Sequence, residues 1–209
     1  MRRMGKAEKG FTLVEVVIVL SAIGILSAIL IPLIEKIVNS SKITKAQNEC
    51  MIIASAMAVF YKDLGRWPNT EGSEAELKPD LYIPYSPGSC GTASSSIYKA
   101  WWKDYSSKPD AFENHLIKNS PGGQSINVYP EEGERAWKGP YLSEIKPDPW
   151  GHHYSCNVRY TYFRGSEGRE YAVFVWSAGP NGNADIPFYQ NRFSLRTRLR
   201  GDDIGVRIR

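Results

Sequence analysis

Val16-Val-Ile-Val-Leu-Ser-Ala-Ile-Gly-Ile-Leu-Ser-Ala-Ile-Leu-Ile-Pro-Leu-Ile34 is a run of nineteen residues without a charge, interrupted only by Ser21, Gly24, Ser27 and Pro32. At a helical rise of 1.5 Å per residue such a run covers roughly 28 Å, close to the hydrocarbon thickness of a bilayer. Directly before it stands Lys9-Gly10-Phe11-Thr12-Leu13-Val14-Glu15, and before that a leader with Arg2, Arg3, Lys6 and Lys9 against Glu8. A secretory signal also has a basic start and an apolar core, but it ends in a small-residue cleavage site. No Ala-x-Ala pattern follows this run, which passes into a helix-forming segment, so the apolar stretch is expected to be retained as a tether. The positive-inside rule keeps the basic leader in the cytoplasm and sends the C-terminal head to the far side of the membrane.

Glu15 is the one charge out of place. A carboxylate costs about 2.5–3.5 kcal/mol at a membrane centre and less near an interface. It either rests solvated at the headgroup level or meets a cation in the apolar layer. A cut between Gly10 and Phe11 would create such a cation, an α-ammonium four residues away, and the pairing works best between neighbouring chains.

Lys9-Gly10-Phe11-Thr12-Leu13-Val14-Glu15 followed by an apolar span resembles the type IV prepilin signal shared by type IV pilins and type II secretion pseudopilins. The resemblance implies cleavage after Gly10 by a prepilin peptidase, methylation of the Phe11 amine, an assembly role for Glu15, and a helix bend at Pro32. It also implies the pilin fold, an α+β arrangement in which a long N-terminal helix packs on a small antiparallel sheet.

Past Pro32 the apolar residues settle at spacings of three and four: Ile43, Ala46, Cys50, Ile53, Met57, Phe60 or Tyr61, and Leu64. That is one face of an amphipathic helix, stopped by Gly65 and Pro68. The helix is expected from Phe11 to Leu64, about 80 Å long. Ser21, Gly24 and Ala28 form a small-residue face that permits close helix approach within a membrane. The segment divides into a leader (1–10), a membrane and assembly helix (11–34), an amphipathic helix with its exit (35–68), an insert (69–136), and a sheet with a C-terminal loop (137–209).

Tyr61-Lys-Asp-Leu-Gly-Arg-Trp-Pro68, Trp137-Lys-Gly-Pro-Tyr-Leu142 and Lys146-Pro-Asp-Pro-Trp-Gly151 resemble blocks of the type II secretion major pseudopilin. The insert has no such match; its Tyr98, Trp101, Trp102, Tyr105 and Phe112 are read as packed aromatics, with short helices over 97–105 and 110–118. Strands are expected at His153–Val158, Tyr160–Arg164 and Glu170–Ser177. Apolar side chains on both faces of the last one predict cover from the helix on one side and loops on the other.

Ser177-Ala-Gly-Pro-Asn-Gly-Asn-Ala-Asp185 and Gly201-Asp-Asp-Ile204 resemble the pseudopilin C-terminal loop, which implies a Ca²⁺ site with Asn181, Asp185, Asp202 and Asp203 as ligands. Calcium takes six to eight oxygens, and Gly-rich turns expose carbonyls suited to it. Two features depart from the family pattern: Asn181 stands where Asp is common, and a long Arg-rich segment separates the two acidic pieces.

The formal net charge is +4, of which the leader carries +3. Residues 191–209 hold six Arg against Asp202 and Asp203, a basic tail read as pairing with acidic patches on neighbouring subunits rather than with nucleic acid. Cys50, Cys90 and Cys156 would lie beyond the membrane, where disulfides persist; three single pairings are open and the sequence does not choose among them, but Cys50 on the helix seam suits a free core thiol and Cys90–Cys156 is the pair expected. His152 and His153 point to opposite faces of a strand, His115 is isolated, and neither a nucleophile elbow nor a phosphate loop occurs. No enzyme is expected. The resemblance instead implies a filament subunit of the inner membrane, partnered by copies of itself, a prepilin peptidase, minor pseudopilins, an assembly platform and an ATPase. A type IV pilin for adhesion, motility or DNA uptake is the alternative.

Overall fold

A computed structural model describes residues 10–68, 83–88, 92–93, 109–123, 125–126, 128–158, 172–185, 199 and 201–208. The chain divides into two units, Met1–Lys42 and Ile43–Arg209, and one helix, α1 (Leu13–Leu64), contributes to both.

In the first unit α1 continues through Pro32, where the missing N–H removes one rung of the helical ladder. Every large apolar side chain from Leu13 to Val38 is exposed, and the most apolar window of the helix has none of its residues buried. By length and composition this helix can cross a membrane. Burying a single Leu, Ile or Val is worth about 1.5–3 kcal/mol, so so many bare side chains require lipid or neighbouring helices around them.

In the second unit α1 shows the opposite character. Ala46, Cys50, Ile53, Met57, Phe60 and Leu64 are buried at the expected spacing, joined by Ala54 and Ala56. The seam begins one turn later than expected, because Ile43 is exposed; of the two aromatics at its end, Phe60 is fully buried and Tyr61 lies outside. Tyr61 instead stacks on Trp67, 4.7 Å between centroids, at the helix exit.

The sheet that covers this seam has the order β3-β1-β4-β5-β7, with β1 Ile83–Tyr85, β3 Pro109–Ala111, β4 Tyr154–Cys156, β5 Phe174–Ser177 and β7 Ile204–Arg207. A separate pair joins β2 (Thr92–Ala93) to β6 (Asn183–Ala184). The β1–β4, β4–β5 and β5–β7 pairs are antiparallel, as expected; β3 lies parallel to β1. The long connection between Tyr85 and Pro109 is what lets the chain return in the same direction. The insert thus supplies two strands of the main sheet, and α2 (Phe112–Leu116) follows directly from β3. Phe112 and Leu116 join the core against α1, whereas Tyr98, Trp101, Trp102 and Tyr105, the helix expected at 97–105 and the strand expected at 160–164 fall outside the described residues.

Both faces of β5 are covered. Val173 and Val175 enter the core shared with α1, while Ala172, Phe174, Trp176 and Ala178 form a second cluster with Ala184 and Leu199. The carbonyls of Ile204 and Gly205 on β7 are met from α1, by Cys50 Sγ at 3.7 Å and Gln47 Nε2 at 3.2 Å. These two hydrogen bonds tie β7 to the second half of α1.

Candidate functional site

Helix α1 begins one residue after Thr12, and the first turn is closed by a reciprocal cap. Glu15 N–H donates to Thr12 Oγ1 at 3.3 Å, while Thr12 N–H and its hydroxyl donate to Glu15 Oε2, each at 2.8 Å. A Thr with a Glu three positions on satisfies two orphan donors of the helix start, which is why the helix stops there. Gly10 and Phe11 are left outside it and exposed, Phe11 at 88%. The bond expected to be cut is therefore in non-helical chain, and the carboxylate expected to meet a new amine is held by its own Thr12. Further along, Ser21 Oγ donates to Val17 O at 2.8 Å, so its hydroxyl is satisfied within the helix.

At the other end of the chain, the fold brings together Asn181, Asp185, Asp202 and Asp203 from the two separated segments. Asn181 grips both oxygens of Asp202, its backbone N–H donating to Oδ2 at 2.9 Å and its side-chain amide to Oδ1. The same amide nitrogen lies 3.4 Å from Asp185 Oδ2, and Asp185 N–H donates to Asp203 Oδ2 at 2.9 Å. Glycines make this approach possible: a Cβ on Gly201 would fall 1.8 Å from Asp185 Oδ2, and one on Gly179 2.2 Å from Asp202 O. Both have positive φ, 61° and 64°, a region open to Gly at no steric cost.

The four residues expected around a calcium ion are thus neighbours, but the donor set does not fit the ion. Calcium is held by oxygens. Here the groups facing the two carboxylates are N–H donors, and the oxygen of the Asn181 amide is engaged by Asn183 N–H at 2.5 Å. Among the described residues no group of three or more His, Cys, Asp or Glu side chains is placed to hold a metal.

Two polar networks were not legible beforehand. Asp148, in the Lys146-Pro-Asp-Pro-Trp-Gly151 block, has a fully buried side chain. It accepts from Trp150 N–H at 2.9 Å, His152 N–H at 2.7 Å and the Ser177 hydroxyl at 2.5 Å, and so ties that block to the start of the C-terminal loop. An Asp between two prolines, able to cap the turn after it, was the available signal. His115, far from isolated, is buried between Asp110 Oδ2, 2.8 Å from its Nε2, and the Tyr129 hydroxyl, 2.7 Å from its Nδ1. Burial pushes the Asp110 acid up, but His115 beside it and donors from Gly122 and Asn114 outweigh this and hold it below the usual carboxylate range.

His152 and His153 diverge as expected, His152 toward Asp148 and His153 Nδ1 onto Ser86 O at 2.5 Å. Of the expected Cys90–Cys156 pair, Cys90 falls outside the described residues; Cys156 is a free thiol, fully buried on β4, where loss of water pushes its pKa up. Cys50 is likewise free and buried, as the seam required.

Comparison with known proteins follows the same geography. The model of the prokaryotic N-terminal methylation motif matches residues 5–31, the leader, the capped helix start and most of the apolar run. The type II secretion system core protein G of Pseudomonas aeruginosa is 23% identical over 193 residues, 89% of this chain and 98% of that protein. The core protein G of Dickeya chrysanthemi is 21% identical over 182 residues, covering 87% and 84%. A fimbrial protein of Eikenella corrodens is 40% identical, but over 63 residues, 30% of this chain and 41% of its own length. No solved structure matches the chain. With the methylation motif at its start, a bare apolar helix, a small sheet on the rest of that helix, and similarity to core protein G over most of its length, the chain is similar to type IV pilin-like proteins.

Proposed function

We propose that this chain is a structural subunit of a type IV pilus-like filament, specifically a type II secretion pseudopilus that assembles from the inner membrane to drive protein export. One observation carries the reading: from Leu13 to Val38, α1 presents uncovered apolar side chains, with Glu15 the sole charge between residues 11 and 34. Such a surface is stable in lipid or in a bundle of identical helices, and it suits passage from one to the other. The head, with its own core, is built to remain in water.

In this reading a prepilin peptidase cuts after Gly10, where the chain is not helical, and the freed Phe11 amine is methylated. Glu15 then exchanges its Thr12 cap for the amine of a neighbouring subunit, which neutralises two charges that lipid and a dry filament core both disfavour. Minor pseudopilins, an assembly platform and an ATPase are the further partners, and the head faces away from the cytoplasm. The role is structural, not enzymatic. A type IV pilin remains the second reading; similarity to core protein G over most of the chain, against pilin matches that cover about a third of it, favours the pseudopilus.

The test is Glu15→Ala in the native host, with the N-terminus read by mass spectrometry and surface filaments counted by electron microscopy. Cleavage after Gly10 is expected to persist while filaments disappear; normal filament numbers would defeat the assembly role.

A further inference from the structure

We infer that Asn181 closes the C-terminal loop in the place a divalent cation would otherwise take, so that the fold of the head does not depend on calcium. Three features of the loop point the same way. The first is the grip on Asp202, whose two oxygens both receive N–H groups of Asn181, one from the backbone and one from the side chain. The second is reach: the same side-chain nitrogen also faces Asp185 Oδ2 at 3.4 Å, so one neutral NH₂ lies against both acidic segments, as a bridging cation would. The third is orientation. Turning the amide over would set its oxygen against two carboxylate oxygens and its NH₂ against the Asn183 N–H, which now donates to Asn181 Oδ1 at 2.5 Å. The network therefore assigns the amide with its donors inward.

The surroundings agree with this assignment. Asp203 Oδ2 is directed to Asp185 N–H at 2.9 Å, where it braces the loop. Gly201 and Gly179 let the two segments close on each other, since a Cβ at the first would meet the Asp185 carboxylate and one at the second the Asp202 carbonyl. Beneath the loop, Ser177 Oγ accepts from Gly179 N–H at 3.1 Å while its hydroxyl donates to the buried Asp148, so hydrogen bonds also tie the base of the loop.

An Asp at position 181 could not do this. Its side chain has no N–H, and it would add a third negative charge beside Asp185 and Asp202, a set that needs a cation to hold it together. The residue type at a single position thus decides between a loop held by an amide and a loop held by a metal.

The experiment uses the full chain in detergent, with its thermal midpoint followed by tryptophan fluorescence in EGTA and in millimolar calcium chloride. For the wild type the two midpoints are expected to agree within about 1 °C, a difference worth only a few tenths of a kcal/mol in a chain of this size. A midpoint several degrees higher in calcium would overturn the inference. Asn181→Asp is expected to melt lower than wild type in EGTA and to regain the loss in calcium; a variant that calcium does not rescue would count equally against it. Asn181→Ala supplies the second arm: it should lose stability by the same amount in both buffers, and a calcium-dependent loss would show that a metal was holding the loop.

Discussion

Thr12 and Glu15 show how much rests on two side chains. Their reciprocal bonds hold the helix start at Leu13 and leave Gly10 and Phe11 outside it. Removing an N-cap costs about 0.5–2 kcal/mol, so Thr12→Ala should speed amide exchange at Leu13, Val14 and Glu15 without changing exchange near Cys50. Unchanged exchange at all of these positions would mean that the cap does not hold the end. Asp110 allows a second test. Because its folded pKa is depressed, the group binds its proton more weakly in the folded than in the unfolded chain. Its contribution to stability is therefore complete above the unfolded value near 3.8 and is lost as pH falls through the lower folded one. Wild-type stability should fall more steeply than that of Asp110→Asn below that pH, measured by urea unfolding; parallel profiles would remove His115 and its neighbours as the cause.

At the scale of elements, α1 is one helix with two environments, and its second half carries the head. Phe60 is fully buried, edge-on to Tyr129 at 5.0 Å and to Tyr141 at 5.6 Å, which joins the helix to the insert and to the block after it. Phe60→Ala should cost about 3–5 kcal/mol, a drop in thermal midpoint on the order of 10 °C. Tyr61→Ala, one residue along on the exposed side, should cost under about 1 kcal/mol. Equal losses at the two positions would show that the seam has been placed on the wrong face. The same element explains why α2 and β3 stay attached: Trp137 Nε1 donates to His115 O at 2.9 Å, and Phe112 and Leu116 lie in the core that α1 forms.

For the whole molecule, the requirement is a solvent for the first half of α1. Full-length protein should remain in the membrane fraction after alkaline carbonate washing, because the most apolar window of the helix has none of its residues buried. Release into the soluble fraction would remove the tether on which the filament reading stands.

The apolar run, the out-of-place Glu15 and the seam from Ala46 to Leu64 could be read in advance, because each depends on spacing along a single helix. The same holds for the two-sided burial of β5, a local alternation of side chains. What lay beyond the sequence were the meetings of distant residues: β3 parallel to β1, Asp110 and Tyr129 on either side of His115, and Asp148 reached by the Ser177 hydroxyl. The C-terminal loop combines both kinds. Its acids were identifiable by type, but whether they face oxygens or N–H groups depends on how Asn181 is turned, and the folded backbone of both segments decides that. Local periodicity is written into neighbouring residues, whereas a hydrogen-bond partner far along the chain is chosen only when tertiary packing brings it within about 3 Å.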